Sequence, residues 1–100
     1  MDNQQKIRVV ARVVALPDKI EELKTILIGL LEPTRKETGC IFYELMQNQT
    51  NPAEFVFVEE WKSEGDLQTH LASDHIQEAL IKCHNLVEIL PDIRSYQLIN

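Results

Sequence analysis

The chain has 100 residues, a net charge of −6 and 44% hydrophobic residues, which predicts one compact domain over residues 1–100, with its core at about 7–98. The acidic charge argues against binding to nucleic acid, which requires a basic face, and against an anionic membrane surface. No apolar run approaches the ~20 residues of a membrane span, and the N-terminal MDNQQKIR lacks the apolar centre of a signal peptide. We therefore expect a soluble, cytoplasmic protein.

The first strand is predicted at residues 7–16, which are rich in β-branched side chains. Its odd positions are all apolar, whereas its even positions include Arg8 and Arg12, so one face is dry and the other is mixed. Two cysteines, Cys40 and Cys83, are too few for a disulfide framework, and we expect both to be reduced, buried thiols.

The first helix is predicted to begin at Asp18, with Glu21 as its capping-box partner. Leucine and isoleucine recur at helical spacing from Ile20 to Leu31, and the helix is predicted to run to about residue 36 or 37. Pro33 is a possible kink, and Gly39 is a natural stop.

Two further strands follow, at residues 40–47 and 54–61, joined by a turn around Asn51 and Pro52. The short connection predicts an antiparallel hairpin. Alternation places two sets of side chains on opposite faces of the third strand: Val56, Val58 and Glu60 on one, and Phe55, Phe57, Glu59 and Trp61 on the other.

The last part of the chain predicts two helices and a strand. Ser63 caps a helix over residues 64–71, with Asp66 at the capping-box position. A break at Ser73 starts another helix, to about residue 85, and residues 93–99 predict the final strand.

This order of elements predicts a ferredoxin-like βαββαβ fold of the α+β class, with one antiparallel sheet and its helices on one face. We assign the apolar faces of these strands to the helix side. Their residues are Val9, Ala11, Val13, Val56 and Val58. The face without helices then carries Arg12, Phe57, Glu59 and Trp61. A bare sheet face with large aromatic side chains should be buried, so we expect a homodimer packed sheet to sheet around a cavity.

Three stretches, PDKIEEL, RKETGCIFYEL and VEEWKSEGDLQTHLASDHIQ, carry a resemblance over roughly residues 7–98. The third holds Glu59, Trp61, His70 and His75 at a characteristic spacing. The sequence resembles the antibiotic biosynthesis monooxygenase family, whose members are dimeric α+β barrel proteins and include quinol monooxygenases. The resemblance implies oxidation of an electron-rich hydroxylated ring by dioxygen without metal, flavin or haem.

The resemblance extends to two other groups of activities. One group degrades haem with an Asn, a Trp and a His, but the corresponding positions are near Ala11, His70 and Leu80, so haem degradation is disfavoured. The other group acts on small phosphorylated diketones and needs a phosphate cradle. Three arginines could supply one: Arg8, Arg12 and Arg94.

The stretch HLASDH contains two of the three histidines, His70 and His75. Five residues correspond to about 500° on a straight helix, so the side chains diverge by roughly 140° unless a break realigns them. No third metal ligand is evident, and His84 lies nine residues beyond His75, so we expect no metal site.

His70 is the candidate base for a phenolic proton, with a satisfied interface histidine as the alternative. His75 either hydrogen-bonds and packs or contacts the substrate. Trp61 and Phe57 form either a wall for a planar ring or simple dimer core.

A carboxylate among aromatic side chains needs a partner, so Glu59 either pairs with Arg12 or orients His70. An ion pair that only supports the fold is the alternative to a role in chemistry. Tyr43 either binds a substrate oxygen or points into the helix-side core.

The leading hypothesis is a cofactor-independent monooxygenase that acts on a quinol-like or polyphenolic small molecule. His70 and Glu59 are its predicted catalytic residues, and the predicted substrate-binding residues are Trp61, Phe57, Tyr43, Arg12 and His75. Two alternatives stay open: a dimeric module that binds an apolar ligand without chemistry, and an isomerase of a phosphorylated diketone.

Overall fold

The computed structural model describes residues 5–100, so the first half of the MDNQQKIR stretch lies outside the described residues. Four strands and four helices follow one another in this order: β1 (Ile7–Val14), α1 (Ile20–Ile28), α2 (Leu31–Arg35), β2 (Cys40–Gln47), β3 (Glu54–Trp61), α3 (Glu64–Leu71), α4 (Asp74–Cys83) and β4 (Asp92–Tyr96). Among these residues, no helix is long and apolar enough to cross a membrane.

The four strands form one sheet in the order β2-β3-β1-β4, and every neighbouring pair is antiparallel. This topology confirms the predicted ferredoxin-like βαββαβ fold of the α+β class. Apolar side chains from both helical segments, such as Leu23, Leu67 and Ile76, pack with Val9 and Phe57 of the sheet in one core.

The predicted assignment of faces in β3 is wrong. Ala11 of β1 lies opposite Phe57, and Val9 lies opposite Glu59. Residues directly opposite each other in an antiparallel pair point to the same face, so Phe57, Glu59 and Trp61 lie under the helices. Both faces of β3 are rich in apolar side chains, and alternation alone therefore could not decide which face is covered.

The opposite face of the sheet carries Val56 and Val58 instead, and it remains accessible to solvent at Val10 and Met46. We call it the open face. Arg12 lies on this face, where its guanidinium pairs with the Glu54 carboxylate. The predicted pairing of Arg12 with Glu59 is wrong, and so is the aromatic surface from which the homodimer was inferred.

The first helical segment divides where a single helix was predicted. α1 begins at Ile20 rather than Asp18, and its N-cap Lys19 makes no side-chain capping bond. The break falls at Gly29, a residue with low helix propensity, and not at Pro33. Pro33 lies in the first turn of α2, where its missing N–H removes no helical hydrogen bond.

The second helical segment confirms the predicted break. The Ser63 hydroxyl accepts a hydrogen bond from the Asp66 amide at 3.2 Å and caps α3. The Ser73 hydroxyl accepts one from the Ile76 amide at 3.4 Å and caps α4. The final strand, β4, ends at Tyr96, three residues earlier than predicted.

Gly39 marks a close approach between the start of β2 and the start of α3. A Cβ atom at this position would lie 2.2 Å from Cγ of Asp66, so only glycine fits without movement of the Asp66 side chain. This approach holds the turn at residues 36–39 against α3.

Candidate active site

An apolar cleft lies between the helices and the covered face of the sheet. Its cavity volume is about 60 Å³, room for a few water molecules. Side chains of α1 and α4 form one wall, and the mouth includes Leu80 and Ile93, which are 41% and 43% exposed. The cleft is therefore narrow and opens to the surface.

The floor of the cleft combines aromatic and titratable side chains. Phe57 and Glu59 come from β3, Tyr43 from β2 and His70 from α3. The Tyr43 ring stacks on Phe57 with a centroid distance of 4.8 Å and meets His70 edge-on at 5.5 Å. Burial and the nearby Glu59 raise the pKa of the Tyr43 phenol, so this group stays protonated. A few convergent polar groups in an apolar pocket are the usual pattern of a small-molecule site.

Glu59 is a buried carboxyl group, 3% exposed, and no Lys or Arg of residues 5–100 pairs with it. It accepts a hydrogen bond from Nε1 of Trp61 at 2.8 Å, because positions two apart in a strand share a face. Burial raises the pKa of Glu59 to about 7, although the Trp61 hydrogen bond acts in the opposite direction. Near neutral pH this carboxyl group can therefore either accept or supply a proton.

His70 is 2% exposed and makes a different contact on each side of its ring. Its Nδ1 lies 2.7 Å from Oε2 of Glu37, whereas its Nε2 lies 4.0 Å from Oε1 of Glu59. Burial lowers the pKa of His70, and the bond to Glu37 partly opposes that effect. Burial thus favours the neutral imidazole, which has one nitrogen at the floor of the cleft.

The break between α3 and α4 brings the two histidines of HLASDH to one carboxylate. Nε2 of His75 lies 2.8 Å from Oε2 of Glu37, the oxygen that His70 also contacts. Ser73 lies between the histidines, with its hydroxyl 3.2 Å from Nε2 of His75. We call Glu37, His70 and His75 the histidine–carboxylate cluster.

The cluster has the donor types of a transition-metal site, and its three donor atoms lie within 4.8 Å of one another. The statement from the sequence that no third ligand is evident is therefore wrong. However, the separations of 2.7 and 2.8 Å between the nitrogens and the shared oxygen are hydrogen-bond lengths. Two imidazole N–H groups that donate to one carboxylate fit these distances.

Four of the seven predicted site residues line the cleft: Tyr43, Phe57, Glu59 and His70. Trp61 is 0% exposed and packs behind the floor, with its ring centroid 4.5 Å from that of His70. His75 does not line the cleft and contacts Glu37 behind it, and Arg12 lies on the open face, away from the cleft.

Glu37 was missed at the sequence level. It lies in the quoted stretch RKETGC, but an acidic residue near the end of a helix is usually solvated. Of the two thiols, Cys83 is buried beside the cleft as predicted, whereas Cys40 is only half-buried.

The fold and the cleft together define a small α+β protein with a buried acid–base group in an apolar pocket. Residues 6–80 match the antibiotic biosynthesis monooxygenase family, and the chain belongs to that family. This membership confirms the predicted family and supports the prediction of an enzyme.

Three relatives illustrate the similarity. The protein sll1783 of Synechocystis is 30% identical over 82 residues, which cover 82% of this chain but only 56% of that protein. Rv0793 of Mycobacterium tuberculosis, whose name proposes a monooxygenase, is 33% identical over 69% of this chain and 67% of its own length. A conserved protein from Methanosarcina mazei superposes with a TM-score of 0.87 at 36% identity, over 94% of this chain and 93% of that one.

Proposed function

We propose that the protein is a monooxygenase that uses dioxygen without a metal or organic cofactor to oxidise a small quinol-like or polyphenolic substrate. The observation that carries this proposal is the arrangement at the floor of the cleft, where His70 and Glu59 face each other across 4.0 Å among aromatic rings. Family membership supports the same class of reaction. The predicted cytoplasmic location and the single domain over residues 1–100 remain part of the proposal.

The separation of 4.0 Å between Nε2 of His70 and Oε1 of Glu59 is too long for a direct hydrogen bond. A substrate hydroxyl at the floor can approach both groups. Nε2 of His70 accepts the hydroxyl proton as a general base, and Glu59 in its protonated form donates a hydrogen bond to the resulting anion.

The ionised ring then supplies the electrons for oxygen. It passes one electron to dioxygen, the two radicals combine into a C–O bond, and cleavage of the O–O bond releases water. A hydroquinone and dioxygen thus give a hydroxyquinone and water, with all four electrons from the substrate. The protein contributes the base and a dry site, and the reaction requires no external reductant.

The cleft restricts the shape of the substrate. A cavity of about 60 Å³ holds a few water molecules, so an aromatic ring must displace them and push the side chains at the mouth outward. Leu71, Leu80 and Ile93 are among the apolar residues that line the cleft. A flat, slender ring therefore fits better than a bulky ligand.

Oxygen uptake by chelator-treated protein with a panel of hydroquinones tests the proposal. Wild-type protein is expected to consume oxygen, and Leu80→Trp is expected to raise KM at least about 10-fold because the indole obstructs the mouth. Ile81→Trp is the matched control, since Ile81 follows in the same helix, is more exposed than Leu80 and does not line the cleft.

If the wild type binds hydroquinone tightly but consumes no oxygen, the protein is a binding module and not an enzyme. If neither Leu80→Trp nor Ile81→Trp changes oxygen uptake, the reaction does not take place in the cleft.

The isomerase alternative depends on a phosphate cradle made by arginines. All three candidates belong to the open face, on the opposite side of the sheet from the cleft, and each pairs with an acidic residue: Arg8 with Glu60, Arg12 with Glu54 and Arg94 with Asp92. No described contact of these arginines favours a phosphorylated substrate.

A homodimer remains part of the proposal, but on different residues. The open face combines ion pairs with accessible apolar side chains such as Val10, Met46 and Tyr96. A second copy packed sheet to sheet would bury them. In that arrangement the cleft of each protomer lies on the far side of its own sheet from the partner.

A further inference from the structure

We propose that Glu37, supported by His75, is a positioning residue that keeps the proton of His70 on Nδ1 and thereby directs the lone pair of Nε2 into the cleft. The proposal deepens the proposed function, because it states why the buried imidazole is a base at the nitrogen that faces the substrate.

The hydrogen-bonding capacity of the cluster carries the argument. A carboxylate oxygen only accepts hydrogen bonds, so both nitrogens at Oε2 of Glu37 must donate: Nδ1 of His70 at 2.7 Å and Nε2 of His75 at 2.8 Å. A neutral imidazole carries one N–H. With that proton on Nδ1, Nε2 of His70 has a free lone pair on the side of Glu59.

Packing keeps the His70 ring from turning over about its Cβ–Cγ bond, a motion that would exchange Nδ1 with a ring carbon. The ring is 2% exposed and lies between Trp61 and Tyr43, at centroid distances of 4.5 and 5.5 Å. A flip of the ring would move Nδ1 away from Glu37 and leave the carboxylate with one donor fewer. The Glu37 side chain is largely shielded from solvent, so an unmade hydrogen bond there is unfavourable and the observed orientation is favoured.

His75 and Ser73 hold the carboxylate from the other side. The Ser73 hydroxyl donates to the backbone carbonyl of His70 at 2.6 Å and also lies 3.2 Å from Nε2 of His75. The same serine caps α4, the helix that carries His75. The break between the helices therefore fixes the base, its carboxylate and the second histidine relative to one another.

The state of His70 is directly observable by ¹⁵N–¹H correlation NMR of the imidazole nitrogens in the wild-type protein at neutral pH. We expect a protonated Nδ1 and an unprotonated Nε2. A proton on Nε2 of His70 in the wild type would overturn the proposal without any variant. This readout requires no substrate, so it stands even if oxygen uptake fails.

Glu37→Met removes the acceptor at nearly constant shape. We expect the His70 proton to redistribute toward Nε2 and kcat to fall by up to about 10⁴-fold, the loss associated with a wrong tautomer, with little change in KM because Glu37 does not line the cleft. Glu37→Gln keeps an acceptor oxygen and should retain the tautomer and part of the activity.

Glu32→Met is the matched control, because Glu32 is exposed on α2 and, within residues 5–100, its carboxylate bonds only to Lys36. It is expected to change neither the tautomer nor kcat. A His70 proton that stays on Nδ1 in Glu37→Met would show that packing alone fixes it, and the proposal would be wrong.

Discussion

Replacement of His70 by Asn is expected to lower kcat for hydroquinone oxidation by about 10²–10⁴-fold, the usual contribution of a positioned base. The asparagine amide can reach the position of Nδ1 and still donate to Glu37, which holds Nδ1 at 2.7 Å in the wild type. The variant therefore retains the contact to Glu37 and loses the far side of the ring, including the nitrogen at the floor of the cleft. Initial rates of oxygen uptake measure the effect.

His84→Asn controls for the same chemical change at an exposed histidine that does not line the cleft. It should leave kcat unchanged. Urea unfolding of both variants separates loss of catalysis from loss of folding. Equal rates for the wild type and a folded His70→Asn variant would remove His70 from the mechanism.

Glu59→Gln is expected to change how stability depends on pH. Burial raises the pKa of Glu59 from 4.5 to about 7, so the folded protein holds this proton more tightly than the unfolded chain does. As pH rises from about 4.5 through 7, the unfolded chain ionises first and the free energy of unfolding falls. A shift of this size corresponds to about 3 kcal/mol over the whole window.

The glutamine in this variant does not titrate, and its amide oxygen can still accept the hydrogen bond from Trp61. The stability of Glu59→Gln relative to the wild type should therefore rise by about 3 kcal/mol between pH 4.5 and pH 8. Urea titrations at several pH values give this difference in the free energy of unfolding. The pH-dependent contributions of other groups cancel in it, including that of His70, which has the opposite sign because its pKa is lowered.

Glu44→Gln provides the control, because Glu44 is exposed on the neighbouring strand β2. The difference in the free energy of unfolding between Glu44→Gln and the wild type should not change across the same pH range. A flat difference for Glu59→Gln as well would mean that Glu59 ionises normally, and its role as a proton donor in the cleft would be lost.

The secondary structure followed closely from local sequence signals. Strands β2 and β3 and helix α3 have the predicted bounds, and Ser63 caps α3 as predicted. These features depend on interactions between near neighbours: alternation along a strand, and a hydroxyl that meets a backbone amide three residues later. The split at Gly29 was missed because the apolar spacing continues across it.

The position of the site depended on longer-range information. His70, Glu59, Phe57 and Tyr43 were selected from the sequence and do share one cleft, but that cleft lies under the helices of one protomer and not on the bare face. The choice between the two faces of β3 is made by its register with β1, which pairs Ala11 with Phe57. No local pattern specifies that register in a strand that has apolar side chains on both faces.

The role of Glu37 also depends on a long-range contact that the sequence does not reveal. Its contact with His70 joins residues 33 positions apart. The contact exists because Gly39 lets the turn after α2 approach Asp66 at the start of α3. The sequence contains the residues of the cluster, but only the tertiary structure brings them to one oxygen.

The most direct test of the account is the ultraviolet difference spectrum of a hydroquinone bound to the protein without oxygen. The proposed site should bind the substrate as its anion, so the wild type is expected to produce the red-shifted absorption of the ionised ring, and His70→Asn is expected to bind without that shift. A substrate that binds to the wild type and keeps the spectrum of its neutral form would contradict the central claim that Nε2 of His70 takes its proton.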